Sequence, residues 1–113
     1  MAKDDYHVIV YQILAYLYTQ LKAGALVDPE LLRPESRYLS INEEYWTYIM
    51  ENLVRDGLIE GITLTTAWGD QLIVSGLEKA RITPRGIEYL TDNSFLSKAR
   101  DFLKDIKAIV PFV

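Results

Sequence analysis

An α+β domain is predicted by three stretches of the chain. Residues 42–57 read as a capped amphipathic helix stopped by a glycine, and the residues after it alternate apolar with polar. From Ser94 onward an apolar stripe recurs at helical spacing. In the first stretch Asn42 is the N-cap, because its side-chain oxygen can accept from free N–H groups of the first turn. Glu43 and Glu44 follow at the end of the helix that favours negative charge. Trp46, Ile49, Met50 and Leu53 step along one face, and Gly57 stands where a left-handed C-cap belongs before Leu58-Ile59 opens a strand. A capped helix, a glycine stop and an immediate strand is the order met at the second helix of a winged helix-turn-helix. The predicted architecture is a winged helix-turn-helix-like domain, with helices around a small two- or three-stranded sheet and an added C-terminal amphipathic helix.

Taken in order, Asp4 or Asp5 caps a first helix running from Tyr6 to about Lys22 and ended by Ala23-Gly24. Its apolar residues fall on nearly all sides, so it is expected to be covered from more than one direction. Tyr6, Tyr11, Tyr16 and Tyr18 are read as packing residues with hydroxyls at the rim rather than as a stacking platform. His7 is the one histidine and is expected at the surface of the first turn. Asp28 caps a short helix start with Pro29 in first position, ended by Arg33-Pro34. Leu31, Leu32, Leu39 and Ile41 should anchor this segment on the core.

After Gly57, Ile62 and Leu64 alternate with Thr63 and Thr65 as in a half-buried strand. Trp68-Gly69-Asp70 is a turn, Leu72-Ile73-Val74 a second strand, and Lys79-Ala80-Arg81-Ile82 a returning one. The loop within this sheet is the natural wing, and Trp68 at its tip either faces a partner or folds back on the sheet. Thr83 caps the next helix with Pro84 in first position, Asp92-Asn93 breaks it, and Ser94 caps a last helix reaching about Val110 before Pro111. Phe95, Ala99, Phe102, Ile106 and Ile109 form its stripe, widened by Leu96, Leu103 and Val110. The first helix, or a second copy of the chain, is the expected partner of that stripe.

Composition narrows the function classes. The chain of 113 residues is half hydrophobic, enough for one domain with its own core, 1–113. It lacks cysteine, which excludes disulfides and thiolate metal sites. A net charge of −4 and a pI near 4.9 argue against a generic polyanion binder. No apolar run approaches the roughly 20 residues that span a bilayer, and Met1 to Asp5 lacks the cationic start of a signal peptide, so the cytoplasm and no membrane partner are expected.

The segment Ile82-Thr83-Pro84-Arg85-Gly86-Ile87-Glu88-Tyr89-Leu90, followed by Ser97-Lys98-Ala99, resembles the C-terminal part of the YjcQ family. Ile41-Asn42-Glu43-Glu44-Tyr45-Trp46 and Gly57-Leu58-Ile59-Glu60-Gly61 are similar to that family's middle helix and strand start. The likeness covers roughly residues 6 to 108, and the chain departs from it in a longer segment around Leu26 to Tyr38. It implies a winged-helix-like α+β fold of the kind found in Gram-positive bacteria, prophages and phages, and it brings no catalytic residues.

For catalysis the inventory is thin. One histidine, no cysteine, no HExxH, no Walker loop and no Gly-x-Gly-x-x-Gly leave no catalytic, cofactor or metal candidates, and a non-enzymatic protein is expected. Sequence-specific DNA binding, as in a transcriptional regulator, is the alternative the fold invites, with Tyr48, Asn52 and Arg55 as base readers and Lys79, Arg81 and Arg85 beside them. Yet Glu43, Glu44, Glu51 and Asp56 against Arg55 leave that helix with a net −3, where phosphate contact demands cations. A protein-interaction module is therefore preferred, binding a partner or a second copy, with Trp68, Phe112 and Val113 as candidate contacts.

Overall fold

The structure, a computed structural model, describes residues 5–105. The described residues form four helices and one long β-hairpin: α1 (Asp5–Ala23), α2 (Glu43–Arg55), β1 (Ile59–Glu60), β2 (Thr63–Thr66), β3 (Leu72–Ser75), β4 (Arg81–Ile82), α3 (Pro84–Asp92) and α4 (Ser94–Asp105). This is the mixed, winged-helix-like arrangement that the sequence predicts. The Asp4 cap of the first helix, the last helical turns towards Val110, the stripe residues Ile106 and Ile109, the Pro111 stop and the contacts Phe112 and Val113 lie outside the described residues.

The first helix is the axis of the core. All ten residues from Val8 to Leu17 are buried, as a helix apolar on every side requires. α4 and α3 pack on it, and β4 meets it too. Tyr11 and Tyr16 are buried, and the Tyr16 hydroxyl accepts from the Asp28 amide at 2.8 Å. Those two tyrosines therefore serve packing, not an exposed stacking platform.

The segment between α1 and α2 is short of helix but densely tied. Pro29–Leu32 makes a single 3₁₀ turn capped by Asp28, whose side chain accepts from the Glu30 amide. Leu32 and Leu39 enter the core, and Leu31 and Ile41 pack half-buried against it. Gln12, the one buried polar residue of the core among the described residues, donates through Nε2 to the Tyr38 carbonyl at 2.9 Å, and the Tyr38 hydroxyl returns a bond to the Gln12 carbonyl at 2.6 Å. This reciprocal pair fastens the loop to the middle of α1. Burial pushes the Tyr38 phenol far above its ordinary range, so it stays protonated and donating.

The hairpin is one ladder broken in the middle. β1 pairs antiparallel with β4, and β2 with β3. Between the two sections, residues 61–62 on one side face residues 76–80 on the other, where a 3₁₀ turn (Leu77–Lys79) takes up the excess. Gly61 makes the close approach feasible: its φ is +93°, and a side chain there would strike the Lys79 carbonyl. Leu64, Leu72 and Val74 are half-buried on the inner face, whereas Thr63, Thr65, Ile73 and Ser75 are exposed on the outer one.

Three details of the helical ends differ from the sequence reading. Asn93, not Ser94, caps α4: its Oδ1 accepts from the Phe95 amide at 2.8 Å and the Leu96 amide at 3.3 Å. Its extended backbone suits a cap, which sets the cap one residue earlier. The buried face of α4 is also turned, centring on Leu96, Ala99 and Leu103, while Phe102 is half-buried and Phe95 is 55% exposed. Aliphatic side chains fill the narrow space against α1, and the ring of Phe95 is left at the rim. There it stacks on His7, with centroids 4.8 Å apart and planes 13° from parallel. His7 is consequently half-buried between helices rather than on an open surface.

Candidate partner-binding face

The chemistry of the outer surface of α2 follows from what its inner surface buries. Trp46, Ile49, Met50 and Leu53 all point into the core, as their spacing predicts. The Asn42 side chain accepts from the Tyr45 amide at 2.8 Å and fixes the start of the helix. Helical geometry then obliges Glu43, Glu44, Thr47, Tyr48 and Glu51 to line the outside, where β3 closes a groove with Leu72 and the preceding Gln71. That groove has a volume of about 510 Å³. Among the described residues, three glutamates and no lysine or arginine line it.

Of the six candidate DNA contacts, Tyr48 alone lines the groove. Asn52 lies one turn along α2, but its amide nitrogen donates to the Tyr48 carbonyl at 2.8 Å, so its donor is turned onto its own helix. Arg55 is exposed and ion-paired with Glu51 on the preceding turn. Arg81, on β4, pairs with Glu60 across the ladder at 3.1 Å, and Lys79 sits in the 3₁₀ turn beside Gly61. Arg85 is in the first turn of α3, against the Gly57 bend. The structure thus does not gather these cations on the groove. Trp68 does not fold back on the sheet: it stands at the hairpin tip with 96% of its surface exposed.

An aromatic line that sequence spacing gives no hint of runs out from this face. Tyr48 meets Tyr6 at 6.4 Å, Tyr6 meets His7 at 5.3 Å, and His7 stacks on Phe95, so α2, α1 and α4 are bridged by rings. Burial, and then the neighbouring Tyr89, Tyr48 and Asp56, push the Tyr6 phenol up. Burial and then Asp56 do the same to Tyr89. Both phenols therefore stay neutral at ordinary pH. Among the described residues, no three His, Cys, Asp or Glu side chains are grouped to hold a metal ion, and no helix is long and apolar enough to cross a membrane.

A family model described as YjcQ protein matches residues 11–109, most of the 113-residue chain. The chain belongs to the YjcQ family. No curated protein and no solved structure matches it. In this YjcQ-family chain, the segments that carried the resemblance form the α2 start, the Gly57 bend and α3, which together frame the hairpin.

Proposed function

We infer that this YjcQ-family chain is a non-enzymatic protein-interaction module whose working face is α2 with the hairpin. The observation that carries the reading is the acidic lining of the groove, Glu43, Glu44 and Glu51. In a winged helix this is the side that enters the major groove of DNA, and a duplex brings its phosphates to it. Glu43 and Glu44 repel phosphate, and Arg55 and Arg81, ion-paired with Glu51 and Glu60, leave little free positive charge to offset them. A basic protein segment meets the same face with complementary charge. Trp68 supplies an anchor of the type that dominates protein interfaces, since a fully exposed tryptophan has its whole apolar surface left to bury. The DNA-binding alternative has the fold class in its favour and the charge of this face against it.

Affinity capture from an extract of the source cells, with nuclease present, tests the proposal. The wild-type chain is expected to retain a basic protein partner after nuclease treatment, and Trp68→Ala to lose roughly tenfold or more in affinity. That substitution removes an exposed side chain and leaves the core untouched, so the loss reports binding. Material released by nuclease, or retained equally by the variant, contradicts the reading.

A further inference from the structure

A second concavity, of about 260 Å³, lies where α1, α3 and α4 meet. It shares no residue with the α2–hairpin groove, and its charge is the reverse. In a protein of net charge −4, its lining among the described residues holds Lys22 and Arg100 and no carboxylate. The floor is apolar, with Ala15 and Leu96 buried and Leu90 half-buried beside them. Thr19 from α1 and Ser97 from α4 add hydroxyls to the wall.

The two cations are placed, and among the described residues neither has a buried carboxylate partner. Lys22 stands one helical turn after Tyr18, with its Nζ 4.5 Å from the centre of that ring, so the ammonium is held at the rim. Arg100 has an exposed contact from its Nε to the adjacent Asp101 at 3.5 Å, a weak pairing in water. A guanidinium carries five donors in a fixed fork, and an oxyanion can take two of them at once. We propose that this concavity binds a small organic oxyanion, a carboxylate or phosphate on an apolar body of about one ring. The head group lies between Lys22 and Arg100 with the Thr19 and Ser97 hydroxyls, and the ring lies on Ala15, Leu90 and Leu96. The volume falls just under the common range for drug-sized ligands, roughly 300–1,000 Å³, which sets the limit of one ring.

The test uses the full chain, isotopically labelled, titrated with benzoate, phenyl phosphate and benzyl alcohol while amide shifts are followed by NMR. Saturable shifts centred on Thr19, Lys22, Ser97 and Arg100 are expected with at least one anion, and the preferred anion identifies the head group. Benzyl alcohol, with the ring and no charge, should bind at least tenfold more weakly, and Lys22→Gln with Arg100→Gln should weaken the anion by about tenfold per cation. Both side chains are exposed, so the double variant keeps the fold, and Lys79→Gln, outside the concavity, should bind as the wild type does. No saturable shift with either anion at about 10 mM, equal binding of benzyl alcohol, or a double variant that binds unchanged overturns the proposal.

Discussion

Replacing Trp46 with alanine is expected to destabilise the protein by about 3–5 kcal/mol, measured as a shift of the urea unfolding midpoint. Two separate losses add. The ring is buried on the inner face of α2, and its removal opens a cavity among Ile49, Met50 and the other core residues. In addition, Trp46 Nε1 donates to the Leu32 carbonyl at 2.7 Å, a buried bond that ties the 3₁₀ turn to α2. Truncation leaves that carbonyl without its partner, and about 1–3 kcal/mol of the expected total comes from this. Trp46→Phe separates the terms, because it keeps an aromatic ring and loses the donor. Thr47→Ala, on the other side of the same helix turn, should be near neutral, since its hydroxyl merely bonds back to the Glu43 carbonyl in an exposed position. A Trp46→Ala protein as stable as wild type would refute the orientation of α2 and therefore the acidic groove on its other side.

Gly86→Ala should destabilise where the same change in an exposed helix would stabilise by up to about 1 kcal/mol. Gly86 is buried in the first turn of α3, and an added Cβ would press into the Leu58 carbonyl oxygen and lie 2.7 Å from Ile82 Cγ1. The Leu58 carbonyl cannot move aside freely, because it accepts from the Thr83 amide at 3.1 Å. Thr83 in turn donates from its hydroxyl to the Gly57 carbonyl and accepts from the Gly86 amide at 3.0 Å. The Gly57 bend, the β1–β4 pair and the start of α3 are thus one junction. Forcing a methyl into it costs about 1–3 kcal/mol, and more if the Thr83 bonds break. Thermal unfolding of Gly86→Ala checks the sign, and an increase in Tm would show that α3 does not sit this closely on the hairpin.

Much of this architecture was legible because local chemistry and tertiary packing agree. Asn42, Asp28 and Thr83 cap the elements they precede, Gly57 has a positive φ, and the stripe from Trp46 to Leu53 is the buried face. Reading failed where two solutions were locally equivalent. Asn93 and Ser94 are both good caps, and backbone geometry chose the first. Phe95 and Leu96 both extend an apolar stripe, and only the space against α1 decides that leucine goes inward. The broken ladder was legible as strands, but its unequal loop depends on the approach of Gly61 to Lys79 across the hairpin.

For the candidate face, the negative charge of α2 could be read from residues close in sequence, whereas its second wall could not. Gln71 and Leu72 reach the groove when the hairpin folds back, a contact between distant segments. Arg55 follows Glu51 by four residues on one helix, so their ion pair is readable from spacing, whereas the pairing of Arg81 with Glu60 depends on the strand register. The pairing of Lys22 with Arg100 around one concavity depends on the packing of α4 against α1.

Titration of a fluorescently labelled mixed-sequence duplex by fluorescence anisotropy tests the central claim, that the α2–hairpin face is built for a protein and not for DNA. The wild-type chain and a Glu43→Lys, Glu44→Lys, Glu51→Lys variant are compared at low and at physiological salt. The account predicts no saturable binding by the wild type at micromolar concentration in physiological salt, and a gain of affinity in the variant that falls steeply as salt is added. A wild-type complex at roughly micromolar or tighter, weakened by salt and abolished by Arg55→Ala, would contradict it.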